Sequence, residues 1–396
     1  MENKLVFSGE GKLSHKNFGL DHDVSWNIDF DLKEINRGNI INLNVKMPGI
    51  AITNPYDLPY ENYILDGQID SLGLSINSEK MLLKEWKEVF LYSYGMKFVS
   101  DSLQIGNFEK IDRLDFFIPN FLIGYDEMSF GEEIINYTDI KLNIDNQNFL
   151  FKLVGNSKFN NKDNFNNLDA QTDFTTTLIV TSEDGQLNYH DTLKIVDNFF
   201  DLLGLAYGTK RPWLMVKGYF KNELIGQYIR DVIYHDTSNI FSSIPITFSG
   251  ELSNFIKDIF PKYYILDKNI KYEFTKLFNQ LSGINAKVNL SEAFKNLEQT
   301  LKYCSLDHIS FKENDNNVNE INFKNLFKDI DYSEFRLNSF LKRSKDIYRS
   351  DYKEGDYKIF LQTLSLLYKF IFRYFDYQGK YWDWSNISPV IKENEF

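Results

Sequence analysis

Residues Arg336 to Tyr352, read as RLNSFLKRSKDIYRSDY, hold the densest set of groups able to meet an anion. Up to Arg349, five basic side chains (Arg336, Lys342, Arg343, Lys345 and Arg349) stand against one acid, Asp346, in a chain of formal net charge -12. Such a set suits a phosphate: Arg343 offers a planar bidentate fork, and Lys342 and Lys345 offer point charges. The competing reading is the solvated face of an amphipathic helix, because Leu337, Phe340, Leu341 and Ile347 recur at helical spacing.

Other chemistry finds less support. The five histidines are His15, His22, His190, His235 and His308, and His22, His190 and His235 each precede an aspartate. A metal-dependent hydrolase of the His-Asp type needs further ligands in a helical core. These pairs fall in strand edges or turns, and nothing matches HExxH or a Cys/His cluster, so no metal is expected. Glycine-rich nucleotide loops and a GxSxG elbow are missing, so neither a cofactor nor a serine triad follows. With 56 acidic residues, no spacing selects a pair for sugar hydrolysis. Cys304 is the only cysteine, which rules out an intrachain disulfide and reads as a small buried hydrophobe. Trp26 and Trp213 read as core aromatics.

An aromatic fraction of 16 % and a hydrophobic fraction of 43 % exclude a disordered chain and allow well-buried cores. The N-terminal residues MENKLVFSGEGK lack the apolar run of a signal peptide. Phe360 to Phe375 is interrupted by Gln362, Ser365, Lys369 and Arg373, so it does not read as a membrane span. The expected location is therefore cytoplasmic, with no membrane partner. The acidic balance argues against non-specific coating of nucleic acid but allows a local basic groove.

The elements that must position these groups change character along the chain. Alternation predicts strands at Val24–Leu32, Ile40–Met47, Tyr63–Ile69, Met96–Ile105, Arg113–Ile118, Asp139–Ile144 and Phe149–Val154, with a partly helical interruption at Glu79–Tyr94. An Asn-rich loop at 156–167 follows, then a strand at Asp173–Thr181. Asp191–Tyr207 reads as a helix stopped by Gly208. Trp213–Tyr219 reads as a strand, and Glu223–Ile233 as a weaker element. From about Phe248 the period becomes 3.6. Helices are expected around Leu252–Ile259, stopped by Pro261, around Ile270–Leu281, ended by Gly283, and around Leu290–Cys304. A last long helix runs from Phe360 to Tyr374, with Asp356 able to cap it. The expected fold class is α+β: a β-rich recognition domain over 1–245, sandwich or barrel-like and with room for two subdomains, then an all-α helical bundle over 246–396.

This order of parts resembles the ApeA-type architecture, in which an N-terminal recognition-like domain joins a HEPN ribonuclease domain. The resemblance is organisational over most of the chain and reaches residue level at Phe340–Tyr348, before the last long helix. HEPN domains carry an Arg, usually followed by a polar residue, and a His after four to six intervening positions. Arg343 and Ser344 match the first two, and Tyr348 stands where the His belongs. The resemblance implies metal-independent RNA cleavage, in which the ribose 2′-hydroxyl attacks the adjacent phosphate, Arg343 steadies its charge and the His position moves protons. Tyrosine, whose ordinary pKa is ~10, donates a hydrogen bond at neutral pH but is a poor base. In a continuous helix, positions five apart point ~140° apart. Convergence of Arg343 and Tyr348 thus needs a helix end between them or a second copy, and family members commonly build this site across a homodimer.

Three functions stay open at this point. The first is an abortive-infection or toxin-type ribonuclease acting on tRNA or mRNA, with Arg343 on the phosphate, Tyr348 or His308 moving protons, and Arg336, Lys342, Lys345 and Arg349 holding RNA. Its β-rich part would take a phage-derived trigger. The second is a catalytically silent module that binds RNA or nucleotide, or dimerises. The third is a β-rich recognition protein whose helical part serves assembly.

Overall fold

A computed structural model of the chain describes residues 4–15, 17, 19–31, 41–47, 58–90, 93–119, 121, 126–130, 133–156, 174–210, 212–231, 241–245, 250–285, 297, 354–384 and 390–393. Strands β1 (Lys4–His15) and β2 (Leu20–Asp31) form a long antiparallel hairpin, followed by β3 (Ile41–Met47) and β4 (Tyr63–Ile69). With β5 (Ser75–Phe90) and β6 (Ser93–Val99) they pair in the ring β4-β1-β2-β3-β6-β5, and β4–β5 pairing closes it into a six-stranded antiparallel barrel. Period-two alternation fills the interior: Val24, Trp26, Ile28 and Phe30 of β2 meet Ile41, Leu43, Val45 and Met47 of β3. Close approach of backbone explains glycine at the β1–β4 seam, where Gly11 and Gly67 are register partners. A Cβ on Gly67 would sit 2.7 Å from Nε1 of the Trp26 indole, which lies across this seam.

Strand β5 also hands the sheet on. Ile76 and Asn77 pair with β7 (Ser102–Gly106), which begins the open antiparallel order β7-β14-β13-β8-β12-β11-β10-β9. Its other members are β8 (Arg113–Pro119), β9 (Asp126–Phe130), β10 (Glu133–Ile144), β11 (Gln147–Gly155), β12 (Phe174–Ser182), β13 (Met215–Phe220) and β14 (Glu223–Arg230). Two hairpins turn on residue pairs at positive φ, Asp145 (50°) with Asn146 (65°) and Lys221 (51°) with Asn222 (68°). Two-residue turns of this hand match the right-handed twist of the flanking strands.

Four helices are seen among the described residues: α1 (Tyr189–Tyr207), α2 (Glu251–Tyr264), α3 (Lys268–Asn285) and α4 (Glu354–Tyr374). Asn188 caps α1 by accepting from the Asp191 amide at 3.1 Å, and Gly208 ends it at φ 74°. The apolar stripes of the helices lie in one core with one face of the open sheet. Val196, Phe199 and Leu203 of α1, Phe255 and Ile259 of α2, and Leu364 and Leu367 of α4 cluster with Phe116, Phe151, Leu178 and Val180. This core takes residues from both sides of position 245. On the sheet's other face Phe117, Met215 and Ile229 join the barrel's core. A small hairpin, β15 (Lys380–Asp383) and β16 (Val390–Glu393), follows α4.

The expected all-α bundle is therefore corrected. The fold is mostly β, a closed barrel with further strands, and no separate helical bundle is seen among the described residues. The 3.6-residue stripes do mark helices, but a stripe does not say what will bury it. Here the sheet does. Ser253 of α2 donates to the Asp139 carbonyl of β10 at 3.2 Å, and Tyr264 donates to Asp145 in the β10–β11 turn at 3.0 Å.

Other expectations shift locally. Glu79–Phe90 lies in β5 and Ser93–Tyr94 in β6 instead of a partial helix, because the Leu82–Phe90 pairing with β6 overrides the helical propensity of MLLKEWKE. Met96–Ile105 divides into β6 and β7. Pro261 lies inside α2, whose last turn is held by the fully buried Phe260 and Tyr263. Gly283 lies inside α3, and Asp356 lies within α4 instead of before it. Leu297 is helical and buried, whereas the rest of its expected helix, the Asn-rich loop at 157–167 and Cys304 lie outside the described residues. Among the described residues no helix is long and apolar enough to cross a membrane.

Candidate functional site

The cationic segment expected to carry the chemistry lies outside the described residues. That holds for Arg336, Lys342, Arg343, Ser344, Lys345, Tyr348 and Arg349, and for His308. What the structure supplies is the element that follows it. Helix α4 begins at Glu354, shortly after Tyr352 in sequence, and is deeply anchored. Phe360, Leu361, Leu364, Leu367, Tyr368 and Ile371 are all fully buried, and the Tyr368 hydroxyl donates to the Phe241 carbonyl at 2.8 Å.

Among the described residues, titratable side chains gather in several places, of which three lie around α1 and the open sheet. Between α1, α2 and α3, the Tyr263 hydroxyl donates to Asp201 Oδ2 at 2.9 Å, and Thr275 Oγ1 lies 3.3 Å from the same oxygen. Burial raises the Asp201 carboxyl above the ordinary range, while Tyr263, Lys210 and Thr275 oppose the rise. Lys271 is lowered by burial and donates to the Tyr264 carbonyl at 2.8 Å. Asp201, Tyr263 and Thr275 come from three different helices, so the cluster ties those helices together.

On β8, Arg113 grips Asp115 with two bonds at 2.9 and 3.0 Å and lies 4.2 Å above the Tyr219 ring. Burial raises Asp115 against the pull of Arg113, a paired charge satisfied within the sheet. At the start of β13 and end of β14, the Arg230 guanidinium lies 3.6 Å from the Trp213 ring centroid. Its Nε donates to the Trp213 carbonyl at 2.8 Å, and the Trp213 indole donates to Asp197 at 3.2 Å. Burial lowers Arg230 to about 10, which leaves it charged at neutral pH. Among the described residues no group of three or more His, Cys, Asp or Glu side chains is placed to hold a metal.

Two concavities are better suited to a ligand. The smaller, about 320 Å³, opens at the barrel beside His15, Asn62, Glu79 and Lys80. His15 is held there by its Nε2 at 2.8 Å from the Glu61 carbonyl and by an edge contact to Tyr63.

The larger cleft, about 680 Å³, lies between the end of β7 with its following loop and the turn that enters α1. Its floor has an identifiable cause. Gly218 and Gly226 are register partners in the β13–β14 hairpin. A Cβ on them would meet the Phe108 ring at 2.7 and 3.2 Å, so the glycine pair makes a notch that seats this ring. Tyr189 stacks on Phe108 at 4.0 Å and 10°. The two loops are tied together by an isolated bridge, with the Leu187 amide donating to the Ile111 carbonyl at 2.8 Å.

Around that floor stand the carboxamides of Gln104, Asn107, Gln186 and Asn188, with Glu109 and His190 at the edge. Tyr189 is 9 % exposed, and its hydroxyl has no hydrogen-bond partner among the described residues. Burial raises that hydroxyl well above the ordinary tyrosine range, with Tyr228 and Asp197 adding and Arg230 opposing. Sequence reasoning did not find this cleft. Its one legible signal was a pair of glycines inside two adjacent strand patterns, which marks close approach but not what approaches.

Comparison with protein-family models, with curated proteins and with solved structures found no match.

Proposed function

We propose that this chain is an RNA-directed effector of the abortive-infection or toxin type, acting in the cytoplasm, whose segment Arg336–Tyr352 meets a scissile phosphate. The observation that carries the reading is five basic side chains against one acid in a chain of net charge -12. Arg343 and Ser344, which match the Arg and polar positions of the HEPN motif, support it. The reading rests on these residues and not on an all-α domain.

In the proposed reaction the ribose 2′-oxygen forms a bond to phosphorus and the bond to the 5′-oxygen breaks, leaving a cyclic phosphate and a free hydroxyl. Arg343 holds the non-bridging oxygens and Ser344 hydrogen-bonds beside it. Solvent water takes the 2′-hydroxyl proton as the bond to phosphorus forms, Tyr348 donates a proton to the leaving 5′-oxygen and regains it by exchange with solvent, and Arg336, Lys342, Lys345 and Arg349 hold the flanking phosphates. No metal or cofactor enters the scheme. A second copy of the chain brings Arg343 and Tyr348 to one groove, and the β-rich part takes the phage-derived trigger.

Cleavage of tRNA and mRNA by the wild type and Arg343→Ala tests this. Loss of one transition-state donor should cost about 100-fold or more in rate. Tyr348→His should raise activity, since imidazole exchanges protons near neutral pH. Intact RNA with the wild type and with Tyr348→His would exclude cleavage. The second reading, RNA binding without cleavage, is favoured by tyrosine at the proton-transfer position. It expects binding that weakens with salt and with Arg343→Ala.

A further inference from the structure

We propose that the Phe108–Tyr189 cleft is a binding site for an adenine-like nucleobase, separate from the cationic segment. The cleft is built, and is more than a gap between loops. The Gly218–Gly226 notch fixes Phe108, the ring stack fixes Tyr189, and the Ile111–Leu187 bridge fixes the two loops against each other. Its volume of about 680 Å³ falls in the ordinary range for small-molecule sites.

The lining decides the ligand class. No lysine or arginine lines the cleft among the described residues, and Glu109 adds a negative charge, so the walls do not suit a phosphate. They offer carboxamides, and a carboxamide presents a donor and an acceptor side by side, the pattern that pairs with an adenine edge. The internal bonds leave both kinds available. Asn188 Oδ1 accepts the cap bond from Asp191, and Asn107 Oδ1 accepts from the Glu109 amide at 3.4 Å, so each keeps its Nδ2 donors for a ligand. Gln104 donates to the Gly106 carbonyl at 3.4 Å and keeps its oxygen as an acceptor.

Titration calorimetry on the full chain, with adenosine as the probe, tests this. Adenosine should bind the wild type. The double variant Asn107→Ala/Gln186→Ala, which changes only exposed side chains, should bind at least about tenfold more weakly with an unchanged circular dichroism spectrum. AMP should bind no more tightly than adenosine, and Arg343→Ala should bind adenosine as the wild type does. Absence of adenosine binding at millimolar concentration, or equal binding by the double variant, would overturn the proposal. So would AMP binding more than about tenfold tighter, because the site would then be reading phosphate.

Discussion

Tyr263→Phe removes one oxygen from the centre of the helix-tying cluster and leaves the rest of the side chain in place. The Tyr263 residue is fully buried, and its ring packs against Phe278 and Phe375, contacts that phenylalanine retains. The loss is therefore the hydrogen bond to Asp201 Oδ2 at 2.9 Å together with the 3.2 Å contact to Thr275 Oγ1, while Thr275, 3.3 Å from the same carboxylate oxygen, keeps it from being wholly unpartnered. A buried hydrogen bond to a charged group contributes ~1.5–3 kcal/mol, and one to a neutral group ~0.5–1.5 kcal/mol. The pH dependence follows from Asp201. Burial raises its folded-state pKa above the unfolded value, so the stability linked to this group is fully present below the unfolded pKa. That stability is lost as pH rises through the folded pKa. Tyr263→Phe takes away a donor that favours the anion, so its cost should appear mainly above the folded pKa of Asp201. Urea unfolding followed by tryptophan fluorescence across the acid-to-neutral range should show a deficit of ~1.5–3 kcal/mol on the high-pH side of the Asp201 titration, shrinking toward ~1 kcal/mol or less on its low-pH side. Asp201→Asn, which cannot ionise, should flatten the pH dependence. A Tyr263→Phe deficit under about 0.5 kcal/mol at neutral pH, or one that does not vary with pH across the acid-to-neutral range, would refute this account of the cluster.

Leu364→Ala should open a cavity in the core shared by α4 and the sheet, since Leu364 is fully buried. A lowered urea midpoint with unchanged slope, equivalent to ~2–5 kcal/mol, is expected. Asn188→Ala should remove the α1 cap bond of 3.1 Å and cost ~0.5–2 kcal/mol in the same assay, whereas Asn188→Asp should retain most of it. Equal losses for the two Asn188 variants would show that the cap is not the source.

Local pattern made much of the secondary structure legible. Ile40–Met47 and Tyr63–Ile69 alternate because one side of each strand faces the barrel interior, and β3 and β4 appear there. The Asp191–Tyr207 helix with its Gly208 stop was readable because a left-handed C-cap strongly favours glycine. Propensity misled where pairing was strong, as in β5, and where burial outweighed a proline, as in α2 at Pro261.

What the amino-acid sequence determined by itself was the chemistry on offer and the period of each element. It showed a cationic segment in an acidic chain, no cysteine pair, strands in the first part and amphipathic helices in the second. Only the tertiary structure decided how those elements share their apolar faces. Closure of β4 on β5 turns six strands into a barrel, and the open sheet takes the helical stripes that pattern alone assigned to a separate bundle. The Phe108–Tyr189 cleft likewise depends on residues far apart in the chain, brought together by the Gly218–Gly226 register. The physical reason is the same in each case. Periodicity is set by backbone geometry over a few residues, whereas burial is settled by whichever long-range packing removes the larger apolar area from water.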